Sequence, residues 1–226
     1  MKKHISNFQY ISDSLKDSSH AMLSELACRG GAKWVQLRVK NQVAYKWEKI
    51  AVEVQRVCAK YKATFIINDN VALAKNLDAD GVHLGKEDVS ISEARRILGP
   101  NKIIGGSANT IQDIIRLAKH QVDYIGLGPY KFTRTKNNLS PVLGLIKIQD
   151  IIKQANQCPD LSIPVIAIGG IKLEDVNQIM KTGIDGIAVS SAINHAPSQE
   201  LASRSFAEKL NIYCNKKFYD NQPQYS

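Results

Sequence analysis

The stretch GPYKFTRTK, residues 128–136, holds three cations (Lys131, Arg134 and Lys136), the hydroxyls of Thr133 and Thr135, and no acid. Such a loop suits an anion, provided other segments converge on it. VQLRVK at 35–40 alternates Val35, Leu37 and Val39 with Gln36, Arg38 and Lys40. Side chains of a strand alternate between its faces, so the apolar set would face a covering layer and the polar set an interior. Cations held there are costly unless they meet an anion. The alternative is an edge strand with one solvated face. VIAIGGI and GIAVSSAI, near the carboxyl end of the sequence, offer Gly170, Ser190 and Ser191 after two apolar runs. Backbone N–H groups at such strand ends make a common phosphate site, and helix N-termini favour anions there.

Carboxylates complete the set. Asn68 and Asp69 follow the apolar run of IINDN, and Asp88 lies on the loop after GVHL. Two carboxylates from neighbouring loops form a weak cage for a hard cation such as Mg²⁺, which typically adds waters and substrate phosphate oxygens. The competing reading is structural: Asp69 or Asn70 could cap the helix that begins at VALAKNL. Glu87 and Asp88 could be ordinary surface acids. His83 reads as a packed or hydrogen-bonded residue rather than a catalyst. In IIGGSANT, Gly105 and Gly106 allow close backbone approach, Ser107 offers a hydroxyl and Thr110 suits a helix N-cap. Two anion sites result. One has Thr133, Thr135, Gly170, Ser190 and Ser191. The other has Arg38, Lys40 and a metal candidate, with Lys136 between the two.

The elements that must position these residues alternate. Predicted strands are 9–11, 34–40, 64–68, 81–84, 102–106, 124–128, 164–169 and 186–190. Amphipathic helical spacing separates them, as in NQVAYKWEKIAVEVQRVCAKY, SEARRIL, TIQDIIRLAKH and KLEDVNQIMKTG. Gly183 suits a helix stop. Eight such units predict a single α/β domain, a (β/α)₈ TIM barrel over 1–216, with a loose polar tail at 217–226. The rival is a doubly wound open sheet, which usually carries a Gly-rich loop after its first strand. Here the Gly30–Gly31 pair follows a helix and reads as its cap. In a barrel, all the residues above fall at the carboxyl ends of strands, where barrel active sites lie.

The chain has 226 residues, a formal charge of +9 and 44% hydrophobic residues. Its apolar runs are far shorter than the ~20 residues of a membrane span, and no secretory leader is evident, so a cytoplasmic protein is expected. Four scattered cysteines form no CxxC pair and read as reduced thiols. The basic residues are dispersed and carry no nucleic-acid signature, so neither nucleic acid nor membrane is the expected partner. Two small phosphorylated ligands fit the charge equally well, and a homo-oligomer is admitted.

Six segments then resemble one family in order. QLRVK at 36–40, IINDN at 66–70, ADGVHLGKED at 79–88, GPYKFTRTK at 128–136, IPVIAIGGI at 163–171 and GIAVSSAI at 186–193 are similar to thiamine phosphate synthases. The resemblance implies a transferase that joins hydroxymethylpyrimidine diphosphate to a thiazole phosphate, or its carboxylated form. The products are thiamine phosphate and pyrophosphate. It implies that Gln36, Arg38, Lys40, Asn68, Ser107 and Lys136 hold the pyrimidine diphosphate. Arg38, Lys40 and Lys136 would aid departure of pyrophosphate, and Asp69 and Asp88 would bind Mg²⁺. Thr133, Thr135, Gly170, Ser190 and Ser191 would hold the thiazole phosphate. The chain departs from the family at SANT, where many members place a histidine after the serine, and in the extra charge of Lys131 and Arg134. TRTKNNLSPVLG at 133–144 reads as a mobile lid. The alternatives are the related thiazole tautomerase, which needs a general base but no diphosphate clamp, and a non-catalytic phosphate-binding regulatory barrel.

Overall fold

A computed structural model describes residues 5–40, 42–133, 141–158 and 161–220, with the side chains of 214–220 excepted. The strands are β1 (Phe8–Ile11), β2 (Trp34–Leu37), β3 (Thr64–Asn68), β4 (Gly81–Leu84), β5 (Ile103–Ala108), β6 (Tyr124–Leu127), β7 (Val165–Ile168) and β8 (Gly186–Val189). Each pairs in parallel with the next, and β8 returns to β1 through Phe8↔Ile187, Gln9↔Ala188 and Tyr10↔Val189. The result is the closed (β/α)₈ barrel expected from the alternation. The helices that follow the strands are α1 (His20–Arg29), α2 (Ala44–Tyr61), α3 (Val71–Asn76), α4 (Ile91–Leu98), α5 (Ile111–Lys119), α6 (Gly144–Asn156), α7 (Val176–Met180), α8 (Ser191–Asn194) and α9 (Gln199–Asp220).

Strand periodicity sorts the side chains into two layers. Val35, Leu37, Ile67, Val82 and Ile187 face outward and pack on Leu23, Val54, Ile114 and Ile148 of the helices. Ile11, Trp34, Ile66, Ile103, Tyr124, Ile166 and Ala188 fill the barrel. β2 stops at Leu37, three residues earlier than the alternation suggests. Its ladder with β3 ends at Leu37↔Ile67. Just beyond, Asp69 adopts φ 63° and turns the chain out of the sheet. Arg38 and Lys40 therefore sit on a loop, not on a strand.

Local signals explain the helix ends. Thr110 caps α5, with Asp113 closing a reciprocal capping box. Gly31, at φ 102°, lets the chain leave α1. α7 ends at Met180, so Gly183 at φ 92° serves the turn into β8 instead of the helix end. α9 runs to Asp220, so residues 217–220 of the expected loose tail continue a helix. Gly105 and Gly106 make room for side chains instead of a ligand. A Cβ at Gly106 would lie 2.6 Å from Leu117 Cδ2, and one at Gly105 would intrude on the Tyr124 ring. Gly105→Ala should therefore lower stability by about 1–3 kcal/mol through overpacking, which urea unfolding would measure.

Candidate active site

A cavity of about 820 Å³ opens at the carboxyl ends of the strands. Gln36, Arg38, Asn68, Asp69, Asp88, Ser107, Thr133, Gly170, Ser190 and Ser191 all line it. Lys40 does not. It lies two residues beyond Arg38 and is half-buried. Thr135 and Lys136 lie outside the described residues, as do Arg134 and the central part of the expected lid.

Arg38 anchors one side. It is only 7% exposed, and its backbone N–H donates to Ser12 Oγ at 3.3 Å. Its Nη1 is buried and has no hydrogen-bond partner among the described residues. Burial pushes the guanidinium pKa down, while Asp13 and Asp69 oppose that shift. A buried donor of this kind is costly until an acceptor reaches it. Next to it, the competing readings of IINDN separate. Asn70 Oδ1 accepts from Leu73 N–H at 2.9 Å and caps α3. Asp69 is not needed as the cap, and its carboxylate lines the cavity. Its left-handed backbone is a strain of order 1–3 kcal/mol, a device that clusters at functional sites. Asp88 Oδ2 accepts from Gly85 N–H at 2.6 Å, which fixes that carboxylate at the rim.

The donor set of Asp69 and Asp88 is hard oxygen and fits Mg²⁺. No cluster of three or more His, Cys, Asp or Glu gathers for a metal among the described residues. A cation here would thus need further oxygens from waters or a ligand. Lys86 and Glu87 also line the cavity. Lys86 Nζ pairs with Asp113 at 2.7 Å. Burial raises the Asp113 pKa, but Lys86, the Asn109 N–H and the Thr110 side chain outweigh it and leave the carboxyl below its usual range.

The floor is a chain of hydrogen bonds across the barrel. Gln36 Nε2 donates to Gln9 Oε1 at 3.2 Å, and Gln9 Nε2 donates to the Tyr124 hydroxyl at 3.3 Å. The Tyr124 hydroxyl meets His83 Nδ1 at 2.9 Å, and His83 Nε2 meets Ser107 Oγ at 3.0 Å. His83 is thus hydrogen-bonded as expected, although it also borders the cavity. Gln9 and Tyr124 were not singled out from the sequence. Their inward positions on β1 and β6 were the available signal.

Across the cavity, the loops after β6 and β7 lie side by side. Tyr130 N–H donates to Ile168 O at 2.8 Å, and Lys131 N–H to Gly169 O at 2.9 Å. Gly169 and Gly170 hold φ of 97° and 66°. A Cβ at Gly170 would come within 2.8 Å of Lys131 Cβ. The Lys131 side chain leaves the cavity for Asp175, 2.6 Å away and buried. Of the three cations that make GPYKFTRTK conspicuous, Lys131 is therefore neutralised locally, and Arg134 and Lys136 lie outside the described residues. α8 has four residues. Its dipole is slight, so an anion there would depend on N–H groups and hydroxyls. Asn109, in the SANT run at the end of β5, is buried. Its Nδ2 donates to Gly128 O at 2.8 Å and Pro141 O at 3.0 Å, bracing both ends of the β6–α6 loop.

Comparison with known proteins agrees with this geometry. Residues 9–193 match the thiamine monophosphate synthase family. A thiamine-phosphate synthase of Flavobacterium johnsoniae is 46% identical over 202 residues, covering 89% of this chain and 95% of its own. One from Flavobacterium psychrophilum is 49% identical over 188 residues, covering 83% and 91%. The solved thiamine phosphate pyrophosphorylase of Pyrococcus furiosus superimposes with a TM-score of 0.80 at 32% identity, covering 91% of this chain and 96% of that one. On this family match, and with the shared barrel, the chain belongs to the thiamine monophosphate synthase family.

Proposed function

We propose that this enzyme joins hydroxymethylpyrimidine diphosphate to a thiazole phosphate, giving thiamine phosphate and pyrophosphate. The observation that carries the reading is the buried Arg38 Nη1, without a partner among the described residues, in one cavity with Gly170, Ser190 and Ser191. Two anions are served from opposite walls. Arg38, with Gln36, Asn68, Ser107 and Lys40, would take the pyrimidine diphosphate. Thr133, Gly170, Ser190 and Ser191 would take the thiazole phosphate. Lys136 and Thr135 join these two sets on the strength of the family resemblance.

The chemistry follows. The bond between the pyrimidine methylene carbon and the diphosphate oxygen breaks, and its electron pair leaves with pyrophosphate. The amino group of the pyrimidine stabilises the resulting cation. The thiazole nitrogen then donates its lone pair to the methylene carbon. Arg38, with Lys40 and Lys136, meets charge that grows on the leaving group, and such aimed electrostatics is usually the largest catalytic term. Asp69 and Asp88 would hold Mg²⁺, which supplies neutralisation of the diphosphate oxygens when bound. Holding both reactants in one cavity replaces an encounter with a positioned step.

The tautomerase reading needs a general base. The histidine that the resemblance leads one to expect in the SANT run is missing, and the Asn109 amide there is already bonded to two carbonyls. An amide cannot serve as that base. Among the described residues, no helix is long and apolar enough to cross a membrane. Cys28 and Cys58 are free and buried, and burial pushes the Cys28 thiol up to about 11. Reduced thiols and phosphorylated substrates suit a cytoplasmic enzyme.

The direct test mixes the protein with both substrates and Mg²⁺. Thiamine phosphate and pyrophosphate should form together and cease with EDTA. Binding of thiazole phosphate without product would sink the synthase reading in favour of a binding-only barrel. Arg38→Ala should lower kcat by on the order of a hundredfold or more, as loss of one oriented donor does. Lys40→Ala should slow turnover more than it weakens thiazole phosphate binding. An unchanged kcat for either variant would remove that residue from the clamp.

A further inference from the structure

Ser190 is the N-cap residue of α8, yet its side chain makes no capping bond. The usual arrangement holds elsewhere in the fold: Ser19 accepts from Met22 N–H, Ser90 from Glu93 N–H and Thr110 from Asp113 N–H. Ser190 Oγ instead accepts a hydrogen bond from Asn194 Nδ2 at 3.1 Å. Asn194 is 1% exposed, and its amide has one orientation. Nδ2 also donates to the Ile11 carbonyl at 3.1 Å. A carbonyl can only accept, so this bond identifies the nitrogen end of the amide. At the other end, Oδ1 accepts from the Tyr10 hydroxyl at 2.5 Å. Tyr10 is fully buried, and burial first, then Asp13 and Cys28, keeps its hydroxyl protonated and able to donate.

Both Nδ2 protons are thereby committed, one to Ile11 O and one to Ser190 Oγ. The serine oxygen receives at this bond, so its own proton must go elsewhere. Ser190 borders the cavity opposite Arg38. We infer that Tyr10 and Asn194 are positioning residues that hold the Ser190 hydroxyl as a hydrogen-bond donor to the thiazole phosphate. The inference rests on the proposed phosphate role of the β7–β8 wall. It adds two buried residues that touch no substrate. A phosphate oxygen only accepts, so a hydroxyl already set to donate need not be reoriented when the ligand arrives.

Calorimetric binding of thiazole phosphate, with steady-state kinetics on both substrates, tests the pair. Ser190→Ala should weaken thiazole phosphate binding about tenfold, the scale of one hydrogen bond to a charged group. Asn194→Ala should weaken it by a similar factor, raising KM for that substrate and leaving KM for the pyrimidine diphosphate unchanged. The double variant should bind no worse than Ser190→Ala alone. Tyr10→Phe should give a smaller loss in the same direction, and it keeps the test open if Asn194→Ala fails to fold. Multiplicative effects of the Ser190 and Asn194 changes would overturn the inference. So would an equal loss of affinity for both substrates, or unchanged thiazole phosphate binding in Tyr10→Phe and Asn194→Ala. Wild-type protein that binds no thiazole phosphate would overturn the underlying reading, and the inference with it.

Discussion

A closed barrel gives its inward polar groups few places to go. There is no sheet edge, and water reaches only the ends, so each buried donor must find an acceptor inside or in a ligand. Gln36, Gln9, Tyr124, His83 and Ser107 satisfy one another in a continuous chain. Arg38 reaches the same interior with Nη1 unmatched among the described residues. Trp34 Nε1 in the barrel also lacks a partner among the described residues, but it is neutral and does not line the cavity, so charge and position at the cavity, together with the missing partner, set Arg38 apart. The satisfied chain braces the floor, and the unsatisfied guanidinium creates a demand that the proposed diphosphate would meet.

The two walls meet that demand by different means. The β2–β4 side carries formal charge: a buried cation, with Asp69 and Asp88, the proposed metal carboxylates, in the same cavity. The β7–β8 side uses neutral groups: glycines at positive φ, where a Cβ would collide with the neighbouring loop, and the hydroxyls of Ser190 and Ser191. A diphosphate whose charge grows during reaction suits the first. A phosphate that only needs to be held suits the second. The asymmetry of the walls thus matches the different fates of the two substrates.

Much of this was legible in the sequence, because strand alternation and strand-end position are local properties. β3 and β4 begin and end where the apolar runs do. Thr110 is the cap its position beside Asp113 suggests. The failures share a cause, which is partners far apart in the chain. The alternation of VQLRVK continues past the point where β2 loses its neighbour, so Arg38 and Lys40 looked like strand residues. Gly105 and Gly106 looked open to a ligand, but their space belongs to Tyr124 and Leu117. Lys131 looked like part of an anion loop until Asp175, 44 residues later, claimed it. Lys86 and the Gln9–Tyr124 link are likewise contacts that no spacing rule reveals.

The seam between β1 and β8 carries a further consequence. Tyr10 and Asn194, 184 residues apart, meet across it, and Ser203 of α9 bonds the Ala27 carbonyl of α1 just outside. Such pairings close the longest loops in the fold and come at the greatest entropic cost. A nascent chain could assemble β2 to β6 and much of the cationic wall while still tethered to the ribosome. The phosphate wall must wait until the last barrel unit has emerged. Half-made enzyme would therefore hold a guanidinium with nothing opposite it, and the ability to bring two substrates together would arise only when β1 meets β8.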